Sequence, residues 1–126
     1  MVLFSSIFLY FYLMSNNVEA TLDVIAQVEQ QLIEIVQDDS REAKAIDVIE
    51  QMKVTVKKQH DDYSVIQSEF LKISADYNAD VQQYNALDKN VDAFWHSTMK
   101  QQVELRFALK EQLTREEWKK LYKEIN

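Results

Sequence analysis

Apolar residues recur along the middle of the chain with the spacing of a helix. They alternate at intervals of three and four residues, interrupted by Gln59 and Asp80: Ile49, Met52, Val56, Tyr63, Ile66, Phe70, Ile73, Tyr77, Tyr84, Leu87, Val91 and Phe94. We call these positions the seam. Such a pattern is typical of a coiled coil or a long helical hairpin. Four bulky rings at every seventh position favour an antiparallel hairpin or an open bundle over a parallel two-stranded coil.

The seam is too long for one helix in a small domain. An unbroken helix over residues 40–112 would measure about 110 Å at 1.5 Å per residue. Serine, asparagine and aspartate cluster between Ser74 and Asp80, and their side chains compete for the hydrogen bonds of a helix backbone. We therefore predict a bend there, between two helices of similar length. A bend at Asp88–Asn90 and a continuous helix in a parallel dimer are the alternatives.

A shorter helix is predicted before the seam. Its apolar face carries Leu22, Ile25, Leu32, Ile33 and Val36, with Val28 at the edge, and the pattern stops at Asp38-Asp39-Ser40. Asp39 is the predicted N-cap of the next helix, because Glu42 lies three residues further on and can complete a capping box. The second helix is therefore expected to begin near Ser40.

The stretch "LTREEW" predicts a short final helix from Arg115 to about Glu124. The Thr114 hydroxyl can accept from the Glu117 amide, and the Glu117 carboxylate can accept from the Thr114 amide in return. Leu113 and Trp118 then occupy the two positions of a hydrophobic staple. These four residues specify a helix start without glycine or proline.

The composition supports an all-α fold. The 126 residues include no glycine, proline or cysteine. Tight β-turns need residues at positive φ, for which glycine is the usual choice. We predict a long antiparallel helical hairpin or open bundle, with a shorter N-terminal helix and a short C-terminal helix. The net charge of −7 argues against nucleic acid as a partner. Nothing in the sequence indicates a cofactor or an enzymatic site.

The N-terminal residues have the pattern of a secretory signal. An apolar run, Val2–Met14, precedes Val18-Glu19-Ala20, which offers small residues to a signal peptidase. No lysine or arginine precedes the run, and a buried first helix is the alternative. We expect residues 1–20 to be a signal peptide or an N-terminal apolar segment, and residues 21–126 to be a single helical domain. The protein is then periplasmic or secreted, or anchored in the inner membrane if the segment stays uncleaved.

Two groups of side chains are candidates for binding. Asp88, Asp92 and His96 follow one another at four-residue spacing, and two carboxylates with an imidazole could hold a divalent ion, although an exposed acidic face explains them equally. The aromatic residues could instead form a surface for a protein partner or pack in the core: Tyr63, Phe70, Tyr77, Tyr84 and Trp95. If Phe94 lies in the seam, Trp95 is expected to pack against the first or last helix.

The segment from Arg106 to Trp118, "R-x-x-L-K-x-x-L-T-x-E-x-W", resembles small periplasmic stress proteins of the Spy and CpxP type and their heavy-metal-resistance relatives. Those proteins carry L-T-x-x-Q motifs at helix starts, on a curved helical hairpin that commonly dimerises. Here Glu117 replaces the glutamine, and the motif occurs once. The resemblance implies a non-enzymatic, chaperone-like or stress-sensing protein that binds other proteins and forms a homodimer. A coiled coil held at the membrane and a metal sensor are the alternative functions.

Overall fold

The computed structural model describes residues 18–125, which form four helices and no strand. Helix α1 spans Val18–Ile35, α2 spans Asp39–Ala75, α3 spans Val81–Glu111 and α4 spans Arg115–Ile125. The all-α prediction is confirmed. The predicted short final helix begins at Arg115 as expected.

Helices α2 and α3 form a hairpin, and the turn lies within the stretch predicted to bend. Helix α2 ends at Ala75, and five residues separate it from the start of α3, the last of them the N-cap Asp80. The Gln83 amide donates to the Asp80 carboxylate at 3.0 Å, and the Asp80 amide donates to Gln83 Oε1 at 2.9 Å. Asp80 therefore interrupts the seam because it caps a helix. The predicted alternatives, a continuous helix and a bend at residues 88–90, are both wrong.

The start of α2 differs from the prediction by one residue. Asp38, not Asp39, is the N-cap, since its backbone is extended and its carboxylate accepts from the Arg41 amide at 2.9 Å. Asp39 instead opens the helix, where the helix dipole favours a negative charge.

The hydrophobic core lies where all four helices pack together, a region that we call the base. Helix α1 buries one stripe there, in which Val28 is central, and Ile33 is 52% exposed, so the predicted edge of this stripe was misplaced. In the hairpin, the residues that belong to this hydrophobic cluster lie no further along α2 than Val56, and α3 contributes Leu109. The buried core residues are Ile25, Val28, Leu32, Val36, Ala45, Val48, Ile49, Met52, Val56, Leu109 and Leu121.

Beyond the base the hairpin continues as two helices, a region that we call the arm (residues 60–97). All of its residues are described, and Leu87 alone among them is buried. Two packed helices share a single interface, so most of their surface stays in contact with solvent. Residues 18–125 therefore form a four-helix base and a two-helix arm.

Candidate functional site

The seam joins α2 to α3 within one chain, and aromatic rings form most of it in the arm. The Tyr63 ring lies 6.0 Å from Phe94 and 5.8 Å from Trp95. Closer to the turn, Phe70 and Tyr84 meet edge to face at 6.4 Å. The antiparallel hairpin thus accommodates the bulky rings across one intramolecular interface.

Trp95 contacts rings of both hairpin helices. Its ring lies 4.8 Å from Phe94, in the aromatic cluster of the arm. It is half-buried there, as Tyr63 is. These ring contacts come from the two hairpin helices, because Trp95 projects from α3 at the level of Tyr63 on α2.

The other predicted partner-binding residues are exposed on the arm. Tyr77 lies in the turn and is 98% exposed, and Phe70 is 50% exposed despite its contact with Tyr84. Three aliphatic residues that lie outside the seam are also exposed, and the seam pattern gave no reason to select them. We call the six large exposed apolar residues of the arm the arm patch: Val65, Phe70, Leu71, Tyr77, Val81 and Tyr84.

The arm is strongly acidic. It has two basic residues and seven acidic ones, a balance of 2 − 7 = −5. Near the turn, a groove of about 530 Å³ runs between the helices, with Ile73 and Leu87 on its apolar floor and Glu69 and Asp76 beside it. The arm therefore combines exposed apolar side chains with a negative net charge, which repels anionic polymers.

A buried amide pair marks the border between arm and base. Gln59, the other polar residue of the seam, is 3% exposed and donates to Gln101 Oε1 at 2.9 Å. Gln102 donates to Gln59 Oε1 at 3.4 Å, and its own Oε1 is buried without a hydrogen-bond partner among the described residues. Buried amides are satisfied only when the opposing side chains are in register, so this pair selects one alignment of α2 against α3.

The predicted capping box at the start of α4 is confirmed. The Glu117 amide donates to the Thr114 hydroxyl at 3.1 Å, and the Thr114 amide donates to the Glu117 carboxylate at 2.7 Å. Leu113 and Trp118, the predicted staple residues, both pack against the core. The Arg106 guanidinium also lies 5.3 Å from the centre of the Trp118 ring.

An arginine that the sequence did not single out completes this junction. Arg41, in the first turn of α2, donates to both carboxylate oxygens of Glu117, with Nη2 at 3.1 Å from Oε2. It also donates to the Gln112 carbonyl at 2.9 Å, at the C-terminal end of α3. The hydrogen bonds from Arg41, together with those from Thr114, lower the pKa of Glu117 to about 2 although burial opposes the shift. Arg41 therefore ties three helices together at the base.

The predicted metal site is not assembled. No group of three or more His, Cys, Asp or Glu side chains within residues 18–125 is placed to hold a metal ion. Asp88, Asp92 and His96 are all exposed on α3. The first and the last are separated by eight residues, or about 12 Å of helix, whereas metal–ligand bonds are about 2 Å long.

The predicted signal segment, Val2–Met14, lies outside the described residues. Helix α1 begins at Val18, so the predicted cleavage position after Ala20 falls within its first turn, and Thr21 is 1% exposed. None of the helices within residues 18–125 is long and apolar enough to span a bilayer.

We compared the chain with known protein families, curated proteins and solved structures. No family model, no curated protein and no solved structure matches the chain.

Proposed function

We propose that this chain is a non-enzymatic, chaperone-like or stress-sensing factor that binds other polypeptides through the arm. The observation that carries the proposal is the arm patch, where six large apolar side chains are exposed on a two-helix projection. Leu71 and Val81 are 66% and 72% exposed, and Tyr77 is almost fully exposed. Large exposed apolar surface marks interaction sites in soluble proteins.

In this proposal the base and the arm have different roles. The base holds the core and stabilises the hairpin, while the arm presents apolar surface with few internal contacts to lose. The negative charge of the arm attracts cationic segments of an unfolded chain, and the exposed rings bury apolar side chains of that segment. We further propose export, as the N-terminal sequence pattern predicts, which would place the protein in the periplasm or outside the cell.

The test measures suppression of aggregation by light scattering, with reduced lysozyme as a cationic unfolded probe. The reductant leaves this chain unaltered because it contains no cysteine. The parent protein is expected to suppress aggregation. Leu71→Gln should weaken binding by roughly 1 kcal/mol, about five-fold in Kd, because an exposed leucine loses its apolar contact with the probe.

Val54 provides the matched control, since it is also 66% exposed but lies on α2 at the base. Val54→Gln should suppress aggregation as well as the parent does. A parent protein without effect on aggregation would refute the proposed function. Equal losses in both variants would refute the assignment of binding to the arm.

A further inference from the structure

One side of α3, which we call its outer face, carries charged residues at positions that are symmetric about Met99. Met99 is 37% exposed and Val103 is 39% exposed. Towards the turn the face carries acidic residues, and towards the base it carries basic ones. At 100° per residue, six residues fall within an arc of about 60°: Asp88, Asp92, Met99, Val103, Arg106 and Lys110.

The symmetry extends to individual positions. Asp92 and Arg106 are each seven residues from Met99, and Asp88 and Lys110 are each eleven residues from it. At 1.5 Å per residue these distances are about 10 Å and about 17 Å along the helix. A second copy of α3, turned end for end about Met99, therefore places each aspartate opposite a cation.

Neither aspartate forms an ion pair within the described part of the chain, although other carboxylates there do. Asp88 and Asp92 are one helical turn apart, as are Arg106 and Lys110, and like charges at this spacing destabilise an isolated helix. Arg106 and Lys110 lie over the Phe107 ring at 5.3 Å and 5.8 Å, and this ring is 50% exposed. The cationic half of the face thus also has apolar surface beside it.

We propose that the outer face of α3 is the interface of a two-fold homodimer, in which two α3 helices pack antiparallel with Met99 at the axis. An antiparallel arrangement forms each of the two ion pairs twice, giving four, with methionine and valine at the centre. A parallel arrangement places like charges opposite each other. Val65 and Leu71 lie on α2 and are not part of this interface. This interface is independent of the proposed function, and it differs from the seam, which is used within the chain.

A charge-exchange experiment on the full chain tests the ion pairs by sedimentation equilibrium. Asp88→Lys should raise the dimer Kd at least about ten-fold, because both copies of one pair become repulsive. Lys110→Glu alone should do the same. The two substitutions combined should restore the Kd to within about three-fold of the parent value, because the exchanged charges again face each other. Asp61→Lys, at an exposed aspartate in the middle of α2, is the matched control and should have no effect.

Cross-linking tests the axis without altering the charges at the other positions. Since the chain has no cysteine, Met99→Cys introduces a single thiol at the proposed axis. This variant should form a disulfide-linked dimer under mild oxidation. Asp88→Cys should not, because its two copies lie about 33 Å apart in the antiparallel pair. A monomer at 100 μM, failure of the combined substitution to restore association, or preferential cross-linking of Asp88→Cys would each overturn the proposal.

Discussion

The junction between Arg41 and Glu117 makes the stability of the fold depend on acid pH. The pKa of Glu117 is lowered from 4.5 to about 2 by the Arg41 hydrogen bonds, and the residue is 8% exposed. At 1.36 kcal/mol per pH unit, the full shift corresponds to about 3 kcal/mol. The Arg41 side chain is 32% exposed, so solvent screening reduces this value, and we expect about 1–2 kcal/mol. Because the folded-state pKa is the lower one, this stabilisation is present above about pH 4.5 and is lost as the pH falls towards 2.

Glu117→Gln tests this reasoning with little change in shape. The amide oxygen can still accept from the Thr114 amide, so the cap survives while the charge is lost. In urea denaturation at pH 7, the variant should be less stable by about 1–2 kcal/mol, and at pH 2.5, close to the folded-state pKa, the difference should shrink to below about 0.5 kcal/mol. Glu116→Gln removes the same charge from the same helical turn, without an Arg41 contact, and should change stability by less than about 0.5 kcal/mol. An equal difference between Glu117→Gln and the parent at both pH values would refute the account.

Three further predictions concern the core, the buried amides and the N-terminus. Leu109→Ala should lower the free energy of unfolding by about 2–5 kcal/mol, because Leu109 is buried in the core. Phe107→Ala, at an exposed position, should lower it by less than about 1 kcal/mol. Equal effects of the two substitutions in thermal denaturation would contradict the assignment of the core. Replacing Gln59 and Gln102 together by leucine should leave stability unchanged or raise it, because the unpartnered amide oxygen is removed; a loss above about 2 kcal/mol would show that the pair is well satisfied. N-terminal sequencing of the protein isolated from cells should begin at Thr21, and an intact Met1 on a protein found in the soluble cytoplasmic fraction would contradict export.

The features predicted correctly from the sequence are those set by neighbouring residues. The bend between Ser74 and Asp80 follows from a local cluster of polar side chains that weaken a helix. The capping box of Thr114 and Glu117 spans four residues, so its geometry is determined once the helix begins. The same reasoning misplaced the N-cap of α2 by one residue. Asp38 and Asp39 are chemically alike, and which of them caps the helix depends on the direction from which the preceding backbone enters it.

Contacts between distant parts of the chain could not be predicted in this way. Arg41 and Glu117 are 76 residues apart, and nothing in either local sequence indicates the partner. The exposure of Phe70 and Tyr77 also depends on tertiary structure. Phe70 meets Tyr84 across the hairpin, as the seam spacing predicts, although half of its surface stays exposed. Tyr77 lies in the turn between the helices, where the helical spacing no longer applies.

The central claim is that the arm, rather than the base, binds unfolded polypeptide. Hydrogen–deuterium exchange with and without reduced lysozyme measures this directly, because backbone amides that become protected on binding identify the contact surface. We expect added protection in the α2 segment of the arm, residues 60–75, and little change in the base segment, residues 41–56. The α2 segment is the informative one, since the proposed dimer interface lies on α3. Protection confined to the base, or no change in either segment, would contradict the account.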